Sequence, residues 1–458
     1  MRILNPVHTK RLFHLAIPVM ITQVGQVSVQ LFDNIMVGKL LGADALASVS
    51  LANGVFFSIF VLALGFSLAI PPLVSEAQSK NDHTAINRIF RHGFVLNMTV
   101  GLALVIIMLL ALPLLYHLDQ PEKIIPDTES YLRITVISII PFMVFQTMRE
   151  VSEGLSFTVG VTKATIIANV INIVLNYIFI KGVYMESLGV DGSAYASFIA
   201  RVFMVIFLFF VMKKNPATKR YMDDFSLKAK LFQKKMFQKL VKLGLPTALQ
   251  MFFEITAFAA AAFVCGLISA NDIASHQIAL SMASFTFNLC IGFSVASTIM
   301  IGRRMGEQTF LELKEVGINN LKIVFIFMGV CGILFIVFRH VLPTFFTQKE
   351  DIEVIQLAAK LMIIAALFQL SDGVQVVALG CLRGIQDVKI PSIITFVAYW
   401  LITLPLGYVL CVPMKMGAFG MWIALGLGLT ISAVLLVFRF LKLAQEKIDN
   451  SAKTTLLN

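Results

Sequence analysis

The stretch ASVSLANGVFFSIFVLALGFSLA, residues 47–69, recurs in altered form as ASHQIALSMASFTFNLCIGFSVA at residues 274–296. The two stretches are identical at 9 of 23 positions without a gap, and both carry Gly-Phe-Ser near their ends. Neither contains Asp, Glu, Lys or Arg, and a helix of this length crosses the hydrocarbon core of a bilayer. The chain is therefore predicted to be a duplication of a unit built from membrane-spanning helices.

Further residues extend the repeat on both sides of these stretches. Pro18 and Pro246 precede them at nearly the same offset. Other pairs follow at similar spacing: Gly154 with Gly380, Lys163 with Lys389, Gly189 with Gly417, and Gly192 with Gly420. The match predicts two lobes of the same construction.

The composition of the chain is that of a protein dissolved in lipid. Of the 458 residues, 58% are hydrophobic and 14% are charged, whereas soluble domains have about 45–50% and about 25%. Twelve apolar blocks, from Leu12–Val37 to Ala418–Leu441, are long enough to cross a bilayer. We therefore predict an all-α integral membrane protein with twelve transmembrane helices in two six-helix repeats. Because six is even, the repeats share one orientation and are related by a parallel pseudo-twofold axis along the membrane normal.

The net charge of +11 comes from basic residues between the apolar blocks, so no nucleic acid partner is expected. Gaps on the side of the N-terminus hold 28 lysines and arginines, and the alternate gaps hold 6. Positive loops stay in the cytoplasm, which predicts cytoplasmic termini in a plasma (bacterial inner) membrane. The predicted domains are an N-lobe at 1–212, a basic cytoplasmic linker at 213–239 and a C-lobe at 240–458 with a short cytoplasmic tail.

Three carboxylates lie inside apolar blocks: Asp33, Glu254 and Asp372. Each costs about 2.5–3.5 kcal/mol at membrane depth, and the basic residues well inside the blocks, Arg133, Arg201 and Lys360, are expected toward block ends. We expect the acids to face a wet cavity, with a fixed ion pair or a protonated, hydrogen-bonded acid as the structural alternatives. Partial removal from water favours the protonated form of a carboxylate, and its oxygens can also hold a monovalent cation. The chain is therefore interpreted as a transporter.

Several other polar and aromatic residues could serve such a cavity. Asn169, Asn172 and Asn176 lie at i, i+3 and i+7, on one helix face, where they could line the cavity or join helices. Hydrophobic cations could be held by an adaptable aromatic wall, for which the candidates are Phe252, Phe253, Phe285 and Phe287.

Four polar residues are instead given structural roles. Glu76, Glu150 and Glu153 are expected at solvated helix ends, and His276 is expected to pack and to cap a helix.

No enzyme signature is found in the sequence. It has no HExxH, P-loop, GxSxG or paired-aspartate motif. No soluble segment is long enough for the nucleotide-binding domain of an ATP-driven pump. The prediction is that the chain is not an enzyme and uses no cofactor.

Four segments together resemble the multidrug and toxic compound extrusion family, over about residues 10–440. They are IPVMITQVGQVSVQLFDNIMVG at 17–38, GLPTALQMFFE at 244–254, ASHQIA at 274–279 and SDGVQVVALGCLRGIQD at 371–387. The presence of Glu254 and Asp372 as well as Asp33 is similar to the NorM-type branch. The resemblance implies a multidrug efflux antiporter that exports small hydrophobic cationic drugs or dyes by alternating access between two lobes. It also implies that Glu254 and Asp372 bind the coupling cation, with Asp33 as the N-lobe counterpart.

The coupling ion is left open between Na⁺ and H⁺. Sodium-coupled members of this branch can have a tyrosine one helical turn before the aspartate that corresponds to Asp372. This chain has Phe368 at that position. Phe368 is accordingly interpreted as lining the cavity, and a Na⁺ at Glu254 and Asp372 remains one alternative. A flippase for lipid-linked precursors is the alternative function, although such a protein would favour basic residues in the cavity. The chain is expected to act as a monomer in the lipid bilayer.

Overall fold

The computed structural model describes residues 4–117, 120–183, 186–228, 231–347 and 351–457. Within these ranges the secondary structure is helical, without a β-strand. Twelve helices are long and apolar enough to cross a membrane, which confirms the predicted fold class. We number them α1 (Pro6–Leu41), α2 (Ala43–Ser79), α3 (His83–His117), α4 (Glu122–Gly154), α5 (Thr158–Lys181), α6 (Gly189–Lys214), α7 (Lys234–Gly266), α8 (Ala270–Glu307), α9 (Phe310–Val337), α10 (Ile352–Gly384), α11 (Lys389–Cys411) and α12 (Gly417–Lys453).

The chain divides into two compact units. The N-unit is Ile21–Ala248, and the C-unit contains the residues before Ile21 and after Ala248. Each division falls two residues beyond a proline inside a helix, Pro18 in α1 and Pro246 in α7. Proline interrupts the hydrogen-bond ladder of a helix. The lobe boundaries predicted at residues 212 and 239 remain predictions.

Equivalent side chains make equivalent contacts in the two units. Ser48 and Ser275, which share a position in the repeat, each donate a hydrogen bond of 3.2 Å to a backbone carbonyl, at Ile124 and Val354 respectively. Gly189 and Gly417, the residues that open α6 and α12, both have positive φ, at 55° and 58°. These paired contacts agree with a duplicated unit of six helices.

The structure corrects one pairing in the repeat. A Cβ on Gly154 would lie 2.7 Å from Val74 Cβ, and a Cβ on Gly384 would lie 2.7 Å from Ile301 Cβ. Val74 and Ile301 occupy equivalent positions, so Gly154 corresponds to Gly384. The pairing of Gly154 with Gly380 is wrong by four residues.

Residues Val397–Thr403 of α11 form a π-helix. This segment packs closely on α12, because a Cβ on Gly428 would lie 1.7 Å from Thr403 Oγ1. Thr403 Oγ1 itself donates a 2.8 Å hydrogen bond to Ala398 O. Glycine at residue 428 thus permits the approach of the two helices.

The chain between α6 and α7 packs against the first half of α3. It contains a short helix, Pro216–Asp223. The backbone N–H of Gln233 donates to His92 Nε2 at 2.8 Å, and the tilted rings of Phe225 and Phe90 have centroids 4.8 Å apart. Arg91 donates to the carbonyl oxygen of Ser226. These contacts fix the connection to the N-unit.

Candidate functional site

Asp33 lies in α1 within a hydrogen-bonded group of the N-unit, and its side chain is buried, with 7% exposure. Asn176 Nδ2 of α5 donates to Asp33 Oδ1 at 2.5 Å and lies 3.1 Å from the side-chain amide of Asn172. Ser197 of α6 lies 3.1 Å from the Asn172 amide. We call Asp33, Asn172, Asn176 and Ser197 the N-unit centre.

The Asn172 amide has a better orientation when it is turned by 180°. Its NH₂ group then donates to Asp33 Oδ1 at 2.9 Å, and its oxygen accepts from Ser197 Oγ at 3.1 Å. Amide nitrogen and oxygen are distinguished by such partners. In this orientation Asp33 Oδ1 accepts from Asn172 and Asn176, so two of the three predicted asparagines contact the acid.

Glu254 of α7 is buried, with 8% exposure, in a corresponding group of the C-unit. Gln375 Nε2 donates to Glu254 Oε1 at 3.2 Å and to the Tyr399 hydroxyl at 3.1 Å. The Tyr399 hydroxyl lies 3.4 Å from the same Glu254 oxygen.

Asp372, 3% exposed, precedes Gln375 by three residues on α10. Residues three apart lie on the same face of a helix, which places Asp372 beside Gln375, the hydrogen-bond donor to Glu254. We call Glu254, Asp372, Gln375 and Tyr399 the C-unit centre. The two acids predicted for the C-lobe therefore occur in one cluster.

The π-helical segment of α11 positions two of the side chains that surround Glu254. Tyr399 brings its hydroxyl to the carboxylate, and Trp400 Nε1 donates a 3.0 Å hydrogen bond to Phe253 O on the neighbouring turn of α7. Consecutive residues rarely face the same neighbour in an α-helix, and π-helical segments occur frequently at functional sites. A hydroxyl therefore lies beside Glu254 at Tyr399 of α11, whereas Phe368 of α10 has none.

Buried amide atoms without hydrogen-bond partners lie on α10 beside the acids. Gln369 is fully buried, and neither Oε1 nor Nε2 has a partner among the described residues. The same holds for Gln375 Oε1. Such atoms indicate room for a bound water or ion.

The remaining cavity candidates have different surroundings. Asn169 lies against α1, since a Cβ on Gly25 would be 2.8 Å from its Nδ2. Phe368 is buried between Phe258 and Trp422. The other aromatic candidates are Phe252 and Phe253, which are half-buried on α7, Phe287, which packs against the C-unit core, and Phe285, which is exposed. Their role in lining a cavity remains a prediction.

Two acidic residues predicted to be solvated are buried. Glu150 and Glu153 are 2% and 1% exposed. Arg149 Nε lies 2.7 Å from Glu153 Oε1, and Gln146 Nε2 donates to Glu150 Oε1 at 2.6 Å. The expectation that these two carboxylates are solvated is wrong. Their side-chain partners compensate for the hydrogen bonds to water that they lose on burial.

Two further expectations from the sequence are corrected. Arg201, expected near the end of a block, lies near the middle of the 26-residue α6. His276 packs against Trp422, with ring centroids 5.9 Å apart, but Ser269 caps α8.

Three residues of the centres were missed in the sequence. Gln375 could have been identified from the sequence, since it is a polar residue one helical turn from Asp372 within the same apolar block. Ser197 had only a weak one, because small hydroxyl residues are common in membrane helices. Tyr399 had none, because its position depends on the π-helical register of α11.

The fold and its two buried carboxylate centres define a polytopic α-helical membrane protein of the transporter class. The family model described as MatE matches residues 18–178 and again residues 246–409, once in each half of the chain. The multidrug resistance protein NorM of Photobacterium profundum is 33% identical over 437 residues, covering 94% of each chain. The multidrug resistance protein MdtK of Yersinia pseudotuberculosis is 32% identical and covers 94% of this chain and 95% of its own. The chain belongs to the MatE family of multidrug efflux transporters, which confirms the resemblance to its NorM-type branch.

Solved structures share the fold. A multidrug resistance MATE family transporter of the MOP superfamily, in an outward-facing conformation, superimposes with a TM-score of 0.88 at 20% identity over 96% of both chains. The eukaryotic MATE transporter AtDTX14 gives 0.86 at 18% identity, over 97% of this chain and 98% of its own. Both likenesses concern the fold alone.

Proposed function

We propose that this chain exports small hydrophobic organic cations by antiport with Na⁺ or H⁺, through alternating access between its two lobes. The observation that carries the proposal is that its three intramembrane acids lack a fixed counter-ion. Within the part of the chain that the structure describes, Asp33, Glu254 and Asp372 form no ion pair at 4.0 Å or less. Buried carboxylates without fixed counter-ions are costly in a membrane, so they are suited to binding a mobile cation.

The two centres suit different occupants. The C-unit centre combines two acids with buried amide oxygens, whereas the N-unit centre has one acid held by asparagines. Glu254 and Asp372 are therefore assigned the coupling ion, and the N-unit centre is assigned contacts with the exported cation.

Both coupling ions fit the C-unit centre. A proton needs only a carboxylate oxygen. Sodium prefers several oxygen ligands, for which the carboxylates of Glu254 and Asp372 and the unpartnered oxygens of Gln369 and Gln375 are available. Transport by wild-type protein in vesicles under an imposed Na⁺ or H⁺ gradient separates the two.

The assignment is tested by ethidium export in cells expressing Glu254→Gln or Asp372→Asn. Both changes keep the side-chain shape and remove a charge, and we expect export to be lost while folded protein accumulates normally. Glu353→Gln is the matched control, because that carboxylate is exposed in the same unit and its partner among the described residues is Asn271, which donates to it at 2.8 Å. Unchanged ethidium export by either variant at matched expression would contradict the mechanism.

The location and orientation belong to the same proposal. We place the chain in the bacterial inner membrane as a monomer with both termini in the cytoplasm, on the strength of the basic gaps. A fluorescent protein that matures only in the cytoplasm, fused to the C-terminus, should be bright. A periplasmically active phosphatase at the same position should be silent, and the reverse pattern would contradict the orientation.

A further inference from the structure

Arg201 is a cation inside a membrane-spanning helix of the N-unit that the proposed mechanism does not use. It projects from the middle of α6, and its Nη1 donates a hydrogen bond to Ser138 Oγ, at the point where α4 is interrupted. Its guanidinium lies over the buried rings of Phe56 and Phe142, at 5.3 and 5.5 Å from their centroids. The rings replace part of its hydration by cation–π attraction.

These contacts leave most of the guanidinium uncompensated. Among the described residues, no carboxylate lies within 4.0 Å of Arg201. A guanidinium has five N–H donors, and Ser138 accepts one hydrogen bond from it. A charge inside the membrane without a counter-ion is costly, so the remaining donors are suited to an anion that enters from outside the chain.

Arg201 belongs to the same polar face as the N-unit centre. It follows Ser197 by four residues on α6, and residues four apart are neighbours on a helix surface. Its side chain is partly exposed, and Ser197 contacts the amide of Asn172, which donates to Asp33. An acid and a base without a mutual ion pair thus lie in one polar region.

We propose that Arg201 forms a subsite for the carboxylate of a zwitterionic substrate whose cationic group is held at Asp33. The inference rests on the proposed function and adds a specificity-determining residue to it. A compound with both charges would compensate both side chains at once. A purely cationic compound would bind through Asp33 alone, and its affinity would not depend on Arg201.

The test uses two dyes that differ at one group. Rhodamine 110 carries a free carboxylate, and rhodamine 123 is its methyl ester. Binding to the purified protein is measured by fluorescence anisotropy, and transport is measured in everted membrane vesicles. The variants are Arg201→Gln and Arg201→Lys, with Arg133→Gln as the matched control, because Arg133 is exposed and pairs with Glu129 on the same helix.

In Arg201→Gln we expect the affinity for rhodamine 110 to fall by about tenfold or more, as for the loss of a charge-assisted hydrogen bond. Rhodamine 123 should bind and move as in the wild type, which also shows that the variant is folded. Arg201→Lys should be intermediate, since lysine keeps the charge without the planar fork. Arg133→Gln should handle both dyes normally.

Three results would overturn the inference. One is an equal loss of both dyes in Arg201→Gln, which would assign Arg201 to the integrity of α4. The second is a wild type that binds rhodamine 123 but not rhodamine 110, and the third is rhodamine 110 binding that does not change in Arg201→Gln. Failure of the wild type to bind or export either dye would instead overturn the proposed function, and the inference with it.

Discussion

Replacing Gly428 by alanine tests whether the close packing of α12 on the π-helical segment is structural. The new Cβ would lie 1.7 Å from Thr403 Oγ1 and 3.1 Å from Ala398 O, which no rotamer of alanine can avoid. Either Thr403 turns away and loses its 2.8 Å hydrogen bond to Ala398 O, or the helices move apart. The hydrogen bond is worth about 1 kcal/mol, and overpacking costs about 1–3 kcal/mol. Alanine regains about 1 kcal/mol of helix propensity.

The net expectation for Gly428→Ala is a destabilisation of about 1–3 kcal/mol. The assay is the thermal stability of detergent-solubilised protein, followed by size-exclusion chromatography after heating. Gly426→Ala is the matched control, because no atom lies within 4 Å of its would-be Cβ. It should be neutral or slightly stabilising. Thr403→Ala removes the clashing oxygen, so the double variant with Gly428→Ala should lose little beyond Thr403→Ala alone. Equal melting temperatures for Gly428→Ala and Gly426→Ala would refute the reasoning.

Three other substitutions give separate expectations. Glu153→Ala should destabilise the protein by about 3–5 kcal/mol, as seen when one partner of a buried ion pair is removed and Arg149 stays behind; a melting temperature equal to that of the wild type would count against the pair. Tyr399→Phe should lower ethidium export only a few-fold, because Gln375 still donates to the carboxylate; complete loss in vesicles would show that the hydroxyl itself is required. Asn176→Leu should reduce export more strongly while the protein remains folded in chromatography, since it removes a charge-assisted hydrogen bond worth about 1.5–3 kcal/mol.

Much of the fold could be predicted because a membrane permits few solutions. Backbone groups in hydrocarbon must be paired within the segment, so twelve long apolar blocks translate directly into twelve helices. The ends of the helices were harder to predict, since the helices continue beyond the apolar blocks into polar residues. The block predicted at Ala418–Leu441 extends in the structure to Lys453.

The repeat could be found but not aligned throughout. Identity along residues 47–69 and 274–296 fixed one pair of helices, but glycines recur every few residues in later helices. Only packing distinguishes Gly380 from Gly384, because the helix contacts of Gly154 are reproduced at Gly384.

For the site, the cost of a charge in lipid singled out the acids but not their partners. The asparagines next to Asp33 followed from helical spacing, and the structure places two of them on the acid. Burial of Glu150 and Glu153 could not be predicted, because helix ends near the surface are usually wet. The partners of the intramembrane acids and the burial of Glu150 and Glu153 both depend on how the helices pack. A single sequence does not show that packing.

The π-helical segment Val397–Thr403 also has a consequence for how such a chain can change its length. A π-helix is in effect an α-helix with one inserted residue, so one deletion within these seven residues restores regular α-helical geometry. Because the extra residue is accommodated within the segment, the deletion would leave the helix on both sides in register and would change only the local contacts, among them that of Tyr399 with Glu254. A membrane helix usually tolerates no change in length, and here it has a position where one residue can be gained or lost. Descendants of a common ancestor could therefore acquire or discard the hydroxyl beside the carboxylate through a single codon.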